Sequence, residues 1–141
     1  MATRQDFTDE EWAALQKGLM GSGMLVSVSD RDLTDTFGEA GALGKYLAGQ
    51  QVAATSELIR ELAKTRGTGF GLTASPDQVR NETLAALATA VPAIRAKAPE
   101  DVAAYRDLVL GLAHAVAGAK GGEVEVERET IAAIEDALRD I

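Results

Sequence analysis

LVLGLAHAVAGAKGGEVEVERETIAAIEDALRDI, residues 108–141, decides the fold class. It reads as an apolar helix, a break at Gly121-Gly122, an acidic segment from Glu123 to Glu129, and a second apolar helix. In the last helix Ile131, Ile134, Leu138 and Ile141 return at helical spacing. Upstream, Val102, Tyr105, Val109, Leu112 and Val116 give the preceding helix an inward face, and Pro99-Glu100-Asp101 opens it with the acidic first turn that the helix dipole favours. Only Glu123–Glu127 alternates with period two, and one such stretch cannot build a sheet. The expectation is an all-α fold, a bundle of five or six amphipathic helices in a single domain over residues 1–141.

The rest of the chain fits that frame. Residues 1–6 read as a disordered lead-in. Thr8-Asp9-Glu10-Glu11 is a capping box, and Phe7 with Trp12 can form a hydrophobic staple around it. Trp12, Leu15 and Leu19 continue an apolar face, while Gly18, Gly21 and Gly23 weaken the helix or let another element pack closely on it. Met24–Val28 could be a strand alone; without a second strand beside it, it reads as the buried end of the first helix. A second helix is expected from about Asp32 through Ala48, with a small-residue stripe at Gly38, Gly41 and Gly44. A third spans about Gln51 to Arg66, with Val52, Thr55, Ile59 and Leu62 buried, flanked by Leu58 and Ala63. The stretch from Gly67 to Ala74 reads as a flexible loop. Ser75, Pro76 and Gln78 then start a fourth helix whose inward face is Leu84, Leu87, Ala88, Val91 and Ile94, with a kink or break at Pro92. Short links between such helices favour antiparallel neighbours. Met24–Leu43 and Ala115–Ile134 share a helix–break–helix outline that reads as a faint internal repeat.

Composition narrows the function. The 141 residues contain no cysteine, which removes a thiol nucleophile, a disulfide framework and a thiolate zinc site. The formal net charge of −8 argues against nucleic acid, whose binding rests on neutralising phosphates. The clusters Arg60/Lys64/Arg66 and Arg95/Lys97 fall near expected helix C-termini, where cations offset the dipole. No apolar run approaches the ~20 residues that cross a bilayer, and the polar Met1–Asp6 does not resemble a signal peptide. A cytoplasmic protein without membrane insertion is expected.

Four features could carry chemistry. Asp30, Asp32 and Asp35 begin like a calcium loop, but Thr34 and the missing glycine break the pattern, and capping accounts for them. Glu123, Glu125, Glu127 and Glu129 could gather a divalent cation from one face of an extended segment, or form a solvated acidic face before the last helix. His114, the single histidine, has no local carboxylate or nucleophile to work with. Gly67-x-Gly69-x-Gly71 lacks the preceding strand and immediately following helix of a phosphate loop, so it reads as a connector. No catalytic residue, cofactor-binding residue, metal ligand or cofactor is assigned.

Several motifs carry a resemblance. Trp12 after Thr8-Asp9-Glu10-Glu11, Gly23-Met24-Leu25-Val26-Ser27-Val28 followed by Glu39-Ala40-x-Ala42-Leu43, and Pro99-Glu100-x-x-x-x-Tyr105 through His114–Ala119 resemble a family of uncharacterised small bacterial all-helical proteins. The resemblance spans most of the chain and implies a helical fold without a particular activity. More distantly, Ala117-Gly118-Ala119-Lys120-Gly121-Gly122-Glu123-Val124 resembles the turn of TerB-like helical domains of tellurite-resistance proteins, with Glu127 and Glu129 as the later acidic residues. Gly121 stands where that turn has an aspartate, a departure that tells against a cation site. The reading that emerges is a non-enzymatic helical interaction or stress-associated protein that binds an unidentified protein partner or itself. A small-ligand or divalent-cation module of TerB-like type is the alternative, and an enzyme of unrecognised class the third.

Overall fold

The computed structural model of the chain describes residues 2–29, 36–54, 56–65, 75–118 and 125–139. Thr8 starts the first helix as its sequence demands. Its amide donates to Glu11 Oε1 (2.9 Å), and its Oγ1 accepts from the Glu11 amide (3.1 Å). Phe7 and Trp12 close over the cap with ring centroids 6.3 Å apart, and the Arg4 guanidinium lies 5.6 Å from the Trp12 ring. Both aromatic residues are buried. The expected disordered lead-in is instead a 3-10 turn, Arg4–Asp6, capped by Thr3, with Ala2 buried.

Six α-helices follow among the described residues: α1 (Asp9–Ser29), α2 (Thr36–Ala53), α3 (Glu57–Ala63), α4 (Pro76–Lys97), α5 (Val102–Gly118) and α6 (Glu125–Arg139). No strand occurs among them. The fold is all-α, and Met24–Val28 is the end of α1. Leu15, Leu19, Leu25 and Val26 of α1 are buried in one core with Leu58 and Leu62 of α3, Leu87 and Ile94 of α4, Tyr105 and Leu112 of α5, and Ile134 and Leu138 of α6.

α1 packs most extensively on α4, and the two run antiparallel. Glu11 at the start of α1 pairs with Lys97 at the end of α4, and Lys17 meets Glu82 at 2.6 Å further along. The Lys97 hydrogen bond, then the Thr8 amide, holds the Glu11 carboxyl below its ordinary range; Lys17 does the same for Glu82. Just past Lys17 on α1, glycine permits the close approach that the sequence suggested. A Cβ on Gly18 would lie 2.8 Å from both Leu87 Cδ2 and the Tyr105 hydroxyl, and one on Gly21 would collide with Thr83 Oγ1. Tyr105 crosses from α5 to donate to the Leu15 carbonyl at 2.8 Å. The proposed small-residue stripe is not supported at Gly44, around which nothing lies within 4 Å of a built Cβ.

Three expectations need correction. The second and third helices divide later than their spacing indicated: α2 runs on to Ala53, and Ser56 caps a short α3, its Oγ accepting from the Ile59 amide at 3.4 Å. Val52, expected in the core, is 88% exposed as a result. Of the kink or break expected at Pro92, the break does not occur: α4 continues to Lys97. Glu125–Glu129 is not extended; it forms the first turns of α6. Glutamates are good helix formers and favour a helix N-terminus, which outweighs the two-residue alternation with valine. Ser75 caps α4 as expected, accepting from the Gln78 amide at 3.1 Å.

Candidate functional site

Asp30, Asp32, Asp35 and Glu123 lie outside the described residues, as do the loop from Gly67 to Ala74 and the turn at Gly121-Gly122. Glu125 and Glu127 lie on the first turn and a half of α6, and Glu129 is exposed there. Among the described residues no three His, Asp or Glu side chains converge as a metal site would require. His114 is exposed on α5.

One recess is built largely from small and apolar side chains. Arg80, Leu84, Ala88, Val91 and Pro92 recur at helical spacing along one stripe of α4. Ala133, Asp136 and Ala137 face them from α6. Together they line a groove of about 480 Å³. Sequence periodicity placed Leu84 and Ala88 in the core, but Leu84 is half-buried and Ala88 exposed, because the stripe turns toward the groove. Pro92 has no amide hydrogen, so it takes away the donor that the Ala88 carbonyl would otherwise meet one turn earlier. Both residues line the groove. Asp136 pairs with Arg139 at 3.3 Å, whereas Arg80 makes no ion pair among the described residues.

A second recess, about 300 Å³, lies where α2, α3 and α5 meet. Tyr46 and Gln50 of α2, Ser56 at the α3 cap, and Asp107 of α5 supply its polar lining; Ile59 and Leu108 are buried beneath it. Tyr46 reaches α5 because residue 111 is glycine: a Cβ there would overlap the phenol oxygen. The hydroxyl donates to the Asp107 carbonyl at 3.4 Å. Burial, and then the Asp107 charge, push the Tyr46 phenol above its ordinary range, so it stays neutral at physiological pH.

Neither recess was found by scanning for reactive residue types. The Arg80–Leu84–Ala88–Pro92 spacing is visible in the sequence, but nothing there separates a groove stripe from a core stripe. Compared with protein-family models, with curated proteins and with solved structures, the chain finds no match. Among the described residues no helix is long and apolar enough to cross a membrane.

Proposed function

We propose that this chain is a non-enzymatic helical interaction protein whose α4/α6 groove receives an apolar helix carrying a carboxylate for Arg80. The observation that carries the reading is the α4 stripe itself: Leu84, Ala88 and Pro92 line the groove with partly or fully exposed apolar surface, headed by an arginine without an ion-pair partner among the described residues. A groove between two helices accepts a third through apolar anchors at helical spacing, and one charge pair fixes its register. The small side chains of Ala88, Ala133 and Ala137 let a partner backbone come close. A stress-associated role in a bacterial cytoplasm belongs to the same proposal and is drawn from the sequence and its resemblances, not from the groove.

A photo-crosslinking amino acid at Ala88 or Ala133, with one at the exposed Ala13 as control, tests the reading in cells. The expected result is an adduct from the groove positions alone, mapped to an acidic amphipathic helix of another protein or of a second copy, and lost on Arg80→Glu. Equal labelling at Ala13, or adducts unaffected by Arg80→Glu, would overturn it.

A further inference from the structure

We propose that the recess between α2, α3 and α5 is a binding site for a small organic ammonium ion with an apolar body. The inference is independent of the α4/α6 groove and rests on the complementarity of the lining. Asp107 puts a carboxylate at the recess, and among the described residues it has no ion-pair partner. Among the described residues no lysine, arginine or histidine lines the space. Asp107 carries the one formal charge among the described lining side chains; Tyr46, Gln50 and Ser56 each offer an oxygen that accepts, and Gln50 and Ser56 also donate, so it is the charge that sets the preference for a cation over an anion.

The aromatic wall is held by a specific device. Gly111 removes the Cβ that would displace the Tyr46 hydroxyl, and the bond to the Asp107 carbonyl ties the phenol to α5. A ring beside a carboxylate is the pair of groups that recognises an organic cation, the ring by its quadrupole and the carboxylate by a charge-assisted hydrogen bond. Ile59, Leu108 and the alanine methyls give the ligand an apolar bed. The volume matches the low end of small-molecule sites, which limits the ligand to a small amine. The formal charge of −8 raises the local concentration of any such cation.

The test titrates the whole protein with 2-phenylethylammonium and, as a shape-matched anion, 3-phenylpropanoate, read by calorimetry and by amide chemical shifts. The ammonium should bind with a Kd of about 0.1–1 mM, a weak affinity suited to one charge pair and a ring. Shifts should centre on Tyr46, Gln50, Ser56 and Asp107. Asp107→Asn should weaken binding about ten-fold, and Tyr46→Leu to a similar degree. Glu10→Gln, which removes an exposed charge on α1 outside both recesses, should leave the Kd unchanged. Asp107 is exposed on a helix surface, so its variant keeps the fold, which a far-UV circular dichroism spectrum verifies. Any one of four results overturns the assignment: no binding at ~10 mM ammonium, equal affinity for the carboxylate, an unchanged Kd in Asp107→Asn, or the same loss in Glu10→Gln.

Discussion

Trp12 shows how much one side chain can carry when it serves a cap and a core at once. It meets Phe7 at a tilt, lies under Arg4, and is 4% exposed. Trp12→Ala should cost about 3–5 kcal/mol, because transfer and cavity terms add; urea unfolding measures it, and a loss below about 1 kcal/mol would be that of a surface site. Thr83 presents the opposite case. Its Oγ1 is buried without a hydrogen-bond partner. Thr83→Val keeps the shape and removes the stranded hydroxyl, so stability should rise by about 1 kcal/mol. Gly21→Ala, by contrast, drives a methyl into the same Thr83 side chain and should cost about 1–3 kcal/mol, more than the helix propensity of alanine returns. The double variant with Thr83→Ala should recover part of that loss. Tyr105 ties stability to pH. Burial pushes its phenol far above the ordinary 10.0, so the unfolded chain ionises first as pH rises. Its contribution is fully present below about pH 10 and declines above it. Tyr105→Phe should lose about 1 kcal/mol at neutral pH with the Leu15 bond, and should flatten the alkaline limb of an unfolding titration. Some slope should remain, since the Tyr46 phenol is raised as well.

Local chemistry made most elements legible before their packing was known. Thr8 and Glu11 fix the start of α1, and Ser75 with Pro76 fixes the start of α4, because caps and N1 prolines act within a single turn. The α2/α3 boundary was not legible. Ala, Gln and Val around residues 48–54 are compatible with either side of a break, and only the exposure of Val52 shows that α2 continues past them. The acidic alternation before the last helix imitated a strand for a similar reason: glutamate and valine satisfy both periods over so few residues. The recesses were illegible because residues such as Ala88, Pro92 and Gly111 carry no reactive group; their role arises from what they leave uncovered. Pro92 makes the point testable. Pro92→Ala returns an amide hydrogen to the α4 ladder, and differential scanning calorimetry should show a gain of about 1–3 kcal/mol, less than the full helix-interior difference because the unfolded chain also gains freedom. If Pro92 is kept for the groove, the same variant should reduce the crosslinking yield at Ala88 while raising stability. A loss of stability instead would mean that the ring packs better than a methyl and that α4 is already relaxed around it.

Over the whole molecule the decisive quantity is charge. α1 is clipped to α4 at two places, Glu11–Lys97 and Lys17–Glu82, and both pairs are part-exposed. Exposed pairs contribute little, and salt screens them further. Against them stands the self-repulsion of a chain with a formal net charge of −8, which opposes any compact state. The two effects respond to ionic strength in opposite directions. Screening at about 0.1 M salt reaches down to about 10 Å, so it weakens repulsion between carboxylates on different helices more than a pair in direct contact. The midpoint of thermal unfolding should therefore rise between low and moderate sodium chloride. Lys17→Met and Lys97→Met each remove a cation and leave the chain more negative, so both variants should melt lower and gain more from added salt than the parent. A midpoint that falls with salt would instead show that the two clips outweigh the diffuse repulsion, and that the α1/α4 pairing depends on them as well as on Gly18, Gly21 and the apolar core between.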